Sequence, residues 1–385
     1  AARGRSGVAE TAQPSCPAAS QIGRTVTGYG VGPALSYAPG RIYLAGPYNG
    51  RPLSLVTINA ITIGPFDLGT VVIRSAFSLD ATTAQLAIDS SSSDPIPHIL
   101  SGIPLRLRDI RVYIDRPEFT LNPTSCEPSQ LISTVTGAGA DLESPVDDST
   151  STSGVPFQLL NCGTLGYSPK LGLKMRGGTR IGAFPSLQAV VQARPGDANL
   201  KSFVVTLPHS EFFAHEHVRG ICTRPQFAAN ACPADSVYGR AVAFTPLLHE
   251  PLRGNVYLRS SDNPSPDMVA SLDSGSIHLE VDGRIGSRHG GIQAAFEDLP
   301  DAPLTRFVMK LHGGKRGLLV NSADICQNPP SATVRAIGQN NRGASFRTVL
   351  RGEKCKKRGR HGKRPGKGKN TAKRVSIASA RRSIR

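Results

Sequence analysis

A chain of 385 residues with a net charge of +17, 40 glycines, 30 prolines and no tryptophan is too long for one small domain and too heavily punctuated for long helices. No run approaches the roughly 18–20 apolar residues that a membrane-spanning helix needs; residues 53–68, the most apolar, are interrupted by Asn59, Gly64, Pro65 and Asp67. The charge says little about the body, because residues 351–385 hold fifteen Lys/Arg against one acid, which leaves only +3 for the other 350 residues.

Residues 1–7 are polar and basic, with neither an initiator Met nor an export signal, and read as a processed or cut end. Cys16-Pro17-Ala18-Ala19-Ser20-Gln21-Ile22-Gly23 then opens a unit. A strand follows at Gly40-Arg41-Ile42-Tyr43-Leu44. Next come a hairpin of residues 71–79 and 85–89 turning over 80–83, and a strand at 111–114 that leads to Cys126. The Ser/Thr-rich residues 144–154, with Asp147 and Asp148, predict a flexible linker.

The middle of the chain reads as a partial copy. Residues 187–192, a Pro195-Gly196-Asp197 turn and residues 202–207 predict a hairpin that runs on to Cys222. His209, Glu211, His215, Glu216 and His217 then crowd one short stretch. Imidazoles and carboxylates at that density suit zinc or copper, but the spacing is not the helical His-Glu-x-x-His pattern. A polar turn after the strand ending at Leu207 is the simpler reading.

The box recurs as Cys232-Pro233-Ala234-Asp235-Ser236-Val237-Tyr238-Gly239. It is followed by Gly254-Asn255-Val256-Tyr257-Leu258, a hairpin of residues 277–285 and 292–297 turning over 287–290, and a strand at 307–311 that leads to Cys326. Such recurrence at a fixed period marks a repeat architecture. The alternation in Ile277-His278-Leu279-Glu280-Val281-Asp282 is that of a half-buried strand. Gly313-Gly314-Lys315-Arg316-Gly317 offers amides and two cations to an anion, although its place as a repeat element favours a β-turn. Asp298 and Asp301 sit beside prolines in a turn. No Gly-x-Ser-x-Gly elbow, Walker loop or dinucleotide fingerprint occurs, so the chain is expected to be no enzyme and to use no cofactor.

Seven cysteines fall in phase with the repeat. Phase predicts the bridges Cys126–Cys162, Cys222–Cys232 and Cys326–Cys355. Cys16 is left over, because the position about ten residues upstream, where Cys222 would have its counterpart, is Ser6. The tail is a polycation with no aromatic residue to stack on bases. It is expected to be disordered and to bind polyanions without sequence preference through Lys356, Lys357, Arg358, Arg360, Lys363, Arg364, Lys367 and Lys369.

The Cys-Pro-Ala-x-Ser-x-x-Gly box, the Gly-x-Val/Ile-Tyr-Leu strand and residues 313–322, Gly-Gly-Lys-Arg-Gly-Leu-Leu-Val-Asn-Ser, resemble a family of secreted tandem-repeat proteins of soil actinobacteria over roughly residues 14–350. The resemblance implies export and tandem β modules. It implies no activity and no functional residue.

The expected architecture is all-β, with tandem antiparallel sandwich-like modules at residues 14–154, 155–225 (partial) and 226–355, and the basic tail at 356–385. The expected function is that of a non-enzymatic, extracellular or cell-envelope structural or adhesive protein whose tail contacts acidic polymers. Two rivals stand beside it. One is a cytoplasmic protein that binds polyanions or nucleic acid. The other is a metal-dependent enzyme built on His209, His215 and His217.

Overall fold

Val, Ile, Thr and aromatic residues alternate with polar ones between Gly, Pro and Asn turns, and this pattern folds the chain into strands. The structure is a computed structural model that describes residues 2–30, 32–104, 106–137, 149–288, 290–353 and 355. It is mostly β.

The first body is an open antiparallel sheet. Its strands are β1 (Gln21–Tyr29), β2 (Ser36–Ala45), β3 (Leu53–Ile63), β4 (Phe66–Leu79) and β5 (Leu86–Asp89). After the two-residue strands β6 (Ile99–Leu100) and β7 (Ile103–Pro104), the sheet is completed by β8 (Leu107–Tyr113). The spatial order is β5-β4-β3-β2-β1-β8. A short helix, α1 (Gly7–Ala12), is capped by Ser6, whose hydroxyl accepts the Ala9 N–H at 3.1 Å. Asp67 holds α1 to the sheet by accepting the N–H groups of Gly7 and Val8 at 2.7 and 2.9 Å.

A hairpin follows, β9 (Ser129–Gly137) with β10 (Ser149–Phe157), paired from Ser129↔Phe157 to Gly137↔Ser149. The second body then takes in β11 (Lys170–Arg176), β12 (Ser186–Gln192), β13 (Leu200–Thr206), β14 (Glu211–Phe213), the helix α2 (Arg224–Ala228), β15 (Val237–Phe244), β16 (Leu252–Arg259), β17 (Asp267–Ser274), β18 (Ile277–Arg288), β19 (Gly291–Phe296), β20 (Arg306–Leu311), β21 (Leu319–Asn321), β22 (Ser331–Gly338) and β23 (Gly343–Gly352). Eleven of these close a barrel in the order β11-β12-β20-β15-β16-β17-β18-β19-β13-β22-β23. Closure comes from a short parallel contact, Leu173↔Leu350 to Met175↔Gly352, which leaves the barrel without a free edge. Leu173, Met175, Phe203, Val256, Leu272 and Val334 are among the residues that fill its interior.

The order of the first sheet recurs inside the barrel as β19-β18-β17-β16-β15-β20. The irregularities recur as well. The β1–β2 register slips between Gln21 and Gly23, and the β15–β16 register slips between Val237 and Gly239. Both glycines are required, since a Cβ on Gly23 would run into the Tyr113 carbonyl and one on Gly239 into that of Lys310.

The two bodies touch at defined points. Asp301 accepts the N–H groups of Thr124 and Ser125 (2.8 and 2.9 Å), the Thr124 hydroxyl (2.7 Å) and the Asn199 amide (2.8 Å). Lys201 pairs with Glu127 at 2.6 Å. The turn between β4 and β5 gives its Ala81 carbonyl to the Glu280 N–H at 2.8 Å.

Several expectations change. The break expected near residue 225 runs through the barrel, because β12 pairs with β20 and β13 with β19 and β22, so residues assigned to 155–225 and 226–355 share one sheet. The hairpin expected of residues 187–192 and 202–207 does not form: β12 and β13 are separated around the barrel wall by the six strands from β20 to β19. The sandwich-like module is realised as a barrel, since strand alternation is the same in both. Residues 149–154 of the expected linker are strand, with Thr134–Thr152 and Thr136–Thr150 hydroxyl pairs at 3.1 Å across the hairpin.

Candidate functional site

A partly open cavity of about 1030 Å³ joins the barrel interior to the inner face of the first sheet. The barrel contributes side chains such as Leu187, Phe203, Met268 and Ile292, and the sheet contributes Leu55, Phe77, Ile88 and Val112. Alternation sets this up: every second residue of each strand points to the same face, and on that face the sequence is apolar. Glu280 and Asp301 are the acids in the lining. Asp301 already accepts four hydrogen bonds, and Glu280 lies 3.4 Å from the His278 ring. A space of this size and lining favours an apolar occupant over a charged one.

Three disulfides, Cys126–Cys162, Cys222–Cys232 and Cys326–Cys355, are present among the described residues. They are the pairs that the repeat phase suggested. The first closes the base of the β9–β10 hairpin and the third that of β22–β23, since each hairpin lies between the two cysteines of its bridge. The second pins α2, with Phe227, over Tyr257 and Val269 on the outer face of the barrel. Cys16 carries a free thiol packed with Ala2, Tyr43 and Ile58, and burial pushes its pKa up. Where the barrel unit has a bridge, this unit has an ionic network around the buried Glu10, which bonds Arg5 and Ser15. Such bridges persist in an oxidising compartment. No helix among the described residues is long and apolar enough to cross a membrane.

The histidines are engaged separately. His215 and His217 lie in a single 3₁₀ turn. The His217 Nδ1 is 3.0 Å from the Gly317 carbonyl and its ring lies 4.1 Å from that of Phe184, while His215 packs edge-on to Phe213. The ring of His209 lies against Gly290. Among the described residues, no group of three or more His, Cys, Asp or Glu side chains could hold a metal ion. Sequence reasoning missed Glu211 as anything but a member of this cluster. It is fully buried, and burial pushes its carboxyl up to about 7.

Residues 313–317 form a turn around a 3₁₀ segment, and the Arg316 guanidinium is paired with Asp235 at 2.6 Å, so it is not held free for an anion. The eight tail cations, Lys356 to Lys369, lie outside the described residues. No protein-family model, no curated protein and no solved structure matches this chain.

Proposed function

We propose that this chain is an exported, non-catalytic structural or adhesive protein of the cell envelope or extracellular space, built from repeated β units and carrying a cationic tail for acidic polymers. The observation that carries the reading is the set of three bridges, two of them closing whole hairpins and one pinning a helix. Cysteines placed this way suit a compartment without a reducing thiol pool. The recurring strand order and slipped register support descent of the units from one pattern. The apolar cavity supports work by binding rather than by acid–base chemistry, because its acids are already engaged.

The test is a thiol count on native protein by alkylation, intact mass and peptide mapping. One reactive thiol at Cys16 and three mapped bridges are expected. Seven reactive thiols would overturn the reading and favour a cytoplasmic polyanion-binding protein.

A further inference from the structure

Registers allow the first sheet to be laid onto the barrel residue by residue. Thr25 pairs with Val112 where Ala241 pairs with Met309. Phe77 pairs with Ile88 where Ile285 pairs with Ala294. Val112 thus stands in the place of Met309, and Ile88 in that of Ala294. The hairpin β9–β10 lies inside Cys126–Cys162 as β22–β23 lies inside Cys326–Cys355.

What differs is the company these elements keep. In the barrel, the far edge of β20 is taken by β12 and that of β19 by β13, while β13 and β11 receive β22 and β23. Among the described residues, no strand takes the far edges of β8 or β5, and β9 and β10 pair only with each other. The cost is visible in the side chains. Val112 is 57% exposed where Met309 is 9%, Ile88 is 60% exposed, and Leu131 in the hairpin is 68% exposed although Val334 in the barrel hairpin is fully buried. The first unit has two gaps. One is two strands wide, between β8 and β10, and the other is one strand wide, between β5 and β9. In the barrel the same gaps are filled by β11, β12 and β13, which are consecutive in sequence.

We propose that the first sheet and the β9–β10 hairpin are acceptor halves of a second barrel, completed by a three-stranded segment of the β11–β13 pattern. The segment is defined by its chemistry: three short strands in succession, apolar at alternate positions, offering backbone edges to β8, β5, β9 and β10. A second copy of this chain does not fit the role, since its own β11–β13 is engaged in closing its own barrel. A small apolar molecule would cover Val112 and Ile88 but leave the strand edges without backbone partners. The proposal rests on the reading of the chain as an exported structural or adhesive protein and names the kind of segment that completes its first unit.

The probe is the full chain preceded by a second copy of residues 167–206, joined through the spacing that separates β13 from α2. The control carries Leu171→Ser, Leu173→Ser, Leu187→Ser, Val191→Ser and Phe203→Ser in the added copy alone. Amide hydrogen exchange of β5, β8, β9 and β10 is expected to slow by about 100-fold or more with the added copy and not with the control, since protection tracks the opening free energy of each strand. Unchanged exchange at these strands, or equal slowing by the control, overturns the proposal. So does slowing in the unextended chain that appears only with dimer formation, which assigns the face to a second copy. Slowing produced by a long-chain fatty acid but not by the added strands assigns it to an apolar small molecule instead. None of these outcomes alters the thiol count, so the exported reading and this proposal fail separately.

Discussion

Glu211 is fully buried in β14, directly opposite Asn321 in β21. One of its carboxylate oxygens and the Asn321 side-chain oxygen both lack a hydrogen-bond partner. An ionised carboxylate there faces burial with only the Ser210 hydroxyl to help, at 3.1 Å, which is why its pKa rises to about 7. The unfolded chain ionises this group near 4.5, so below that pH the group adds no pH dependence. Between 4.5 and 7 the unfolded state gains its charge first, and the native state is progressively penalised; above 7 the penalty is constant. At about 1.4 kcal/mol per pH unit it reaches roughly 3 kcal/mol. Glu211→Gln removes the ionisation and supplies a donor for the Asn321 oxygen. The variant is expected to exceed the parent by roughly 2–3 kcal/mol at pH 8, with the difference vanishing near pH 4. Denaturant melts of both proteins across pH 4–8 check this, and a constant difference would place the pH dependence elsewhere. Nothing in the sequence singled out this residue from the His/Glu cluster around it, because its burial depends on β21, more than a hundred positions away.

At the scale of elements, the two bridged hairpins make a matched pair with unequal surroundings. Cys326–Cys355 spans 29 residues and closes a hairpin that is part of the barrel wall, whereas Cys126–Cys162 spans 36 and closes one that lies outside any larger sheet. Loop-closure entropy alone would give both about 3.5–4 kcal/mol. Stability is shared only among elements that unfold together, so the effects should differ. Cys326→Ser with Cys355→Ser is expected to lower the main unfolding transition by about 3–4 kcal/mol. Cys126→Ser with Cys162→Ser should leave that transition in place and speed proteolysis within residues 129–157. Equal losses in the main transition would mean that the hairpin is coupled to the barrel. These bridges were legible because repeat phase places cysteines in register. The short strands, the turn at 80–83 and the missing partner of Cys16 were legible for the same reason, whereas Ser287 and Arg288 of the turn expected at 287–290 belong to β18. Barrel closure was not, since β11 meets β23 across some 175 residues and alternation reads identically in an open and a closed sheet. The second Cys-Pro-Ala box misled as a boundary because it marks the bridge that pins α2 onto the barrel wall, not a gap between bodies.

At the scale of the whole molecule, charge and fold are separated along the chain. Residues 356–385 contain thirteen Lys/Arg and no acid, so the remainder carries only +4. On the folded body, cations such as Arg259, Arg224 and Arg316 are paired with Asp282, Asp262 and Asp235. Attraction to an acidic polymer should therefore reside almost wholly in the tail. Each neutralised anion releases condensed counterions, which makes such binding fall steeply with salt; for about six to ten contacts the loss between 50 and 200 mM is on the order of 10³-fold or more. The full chain is expected to bind an anionic polymer such as polyglutamate at 50 mM salt and to release it by 200 mM. The chain ending at residue 355 is expected to bind at neither, with its melting temperature unchanged because Cys355 and its bridge are retained. Binding by the shortened chain at 50 mM salt would move the contact onto the body, and binding by the full chain that survives 200 mM would show that apolar or hydrogen-bonded contacts, not the tail's charge, hold the polymer.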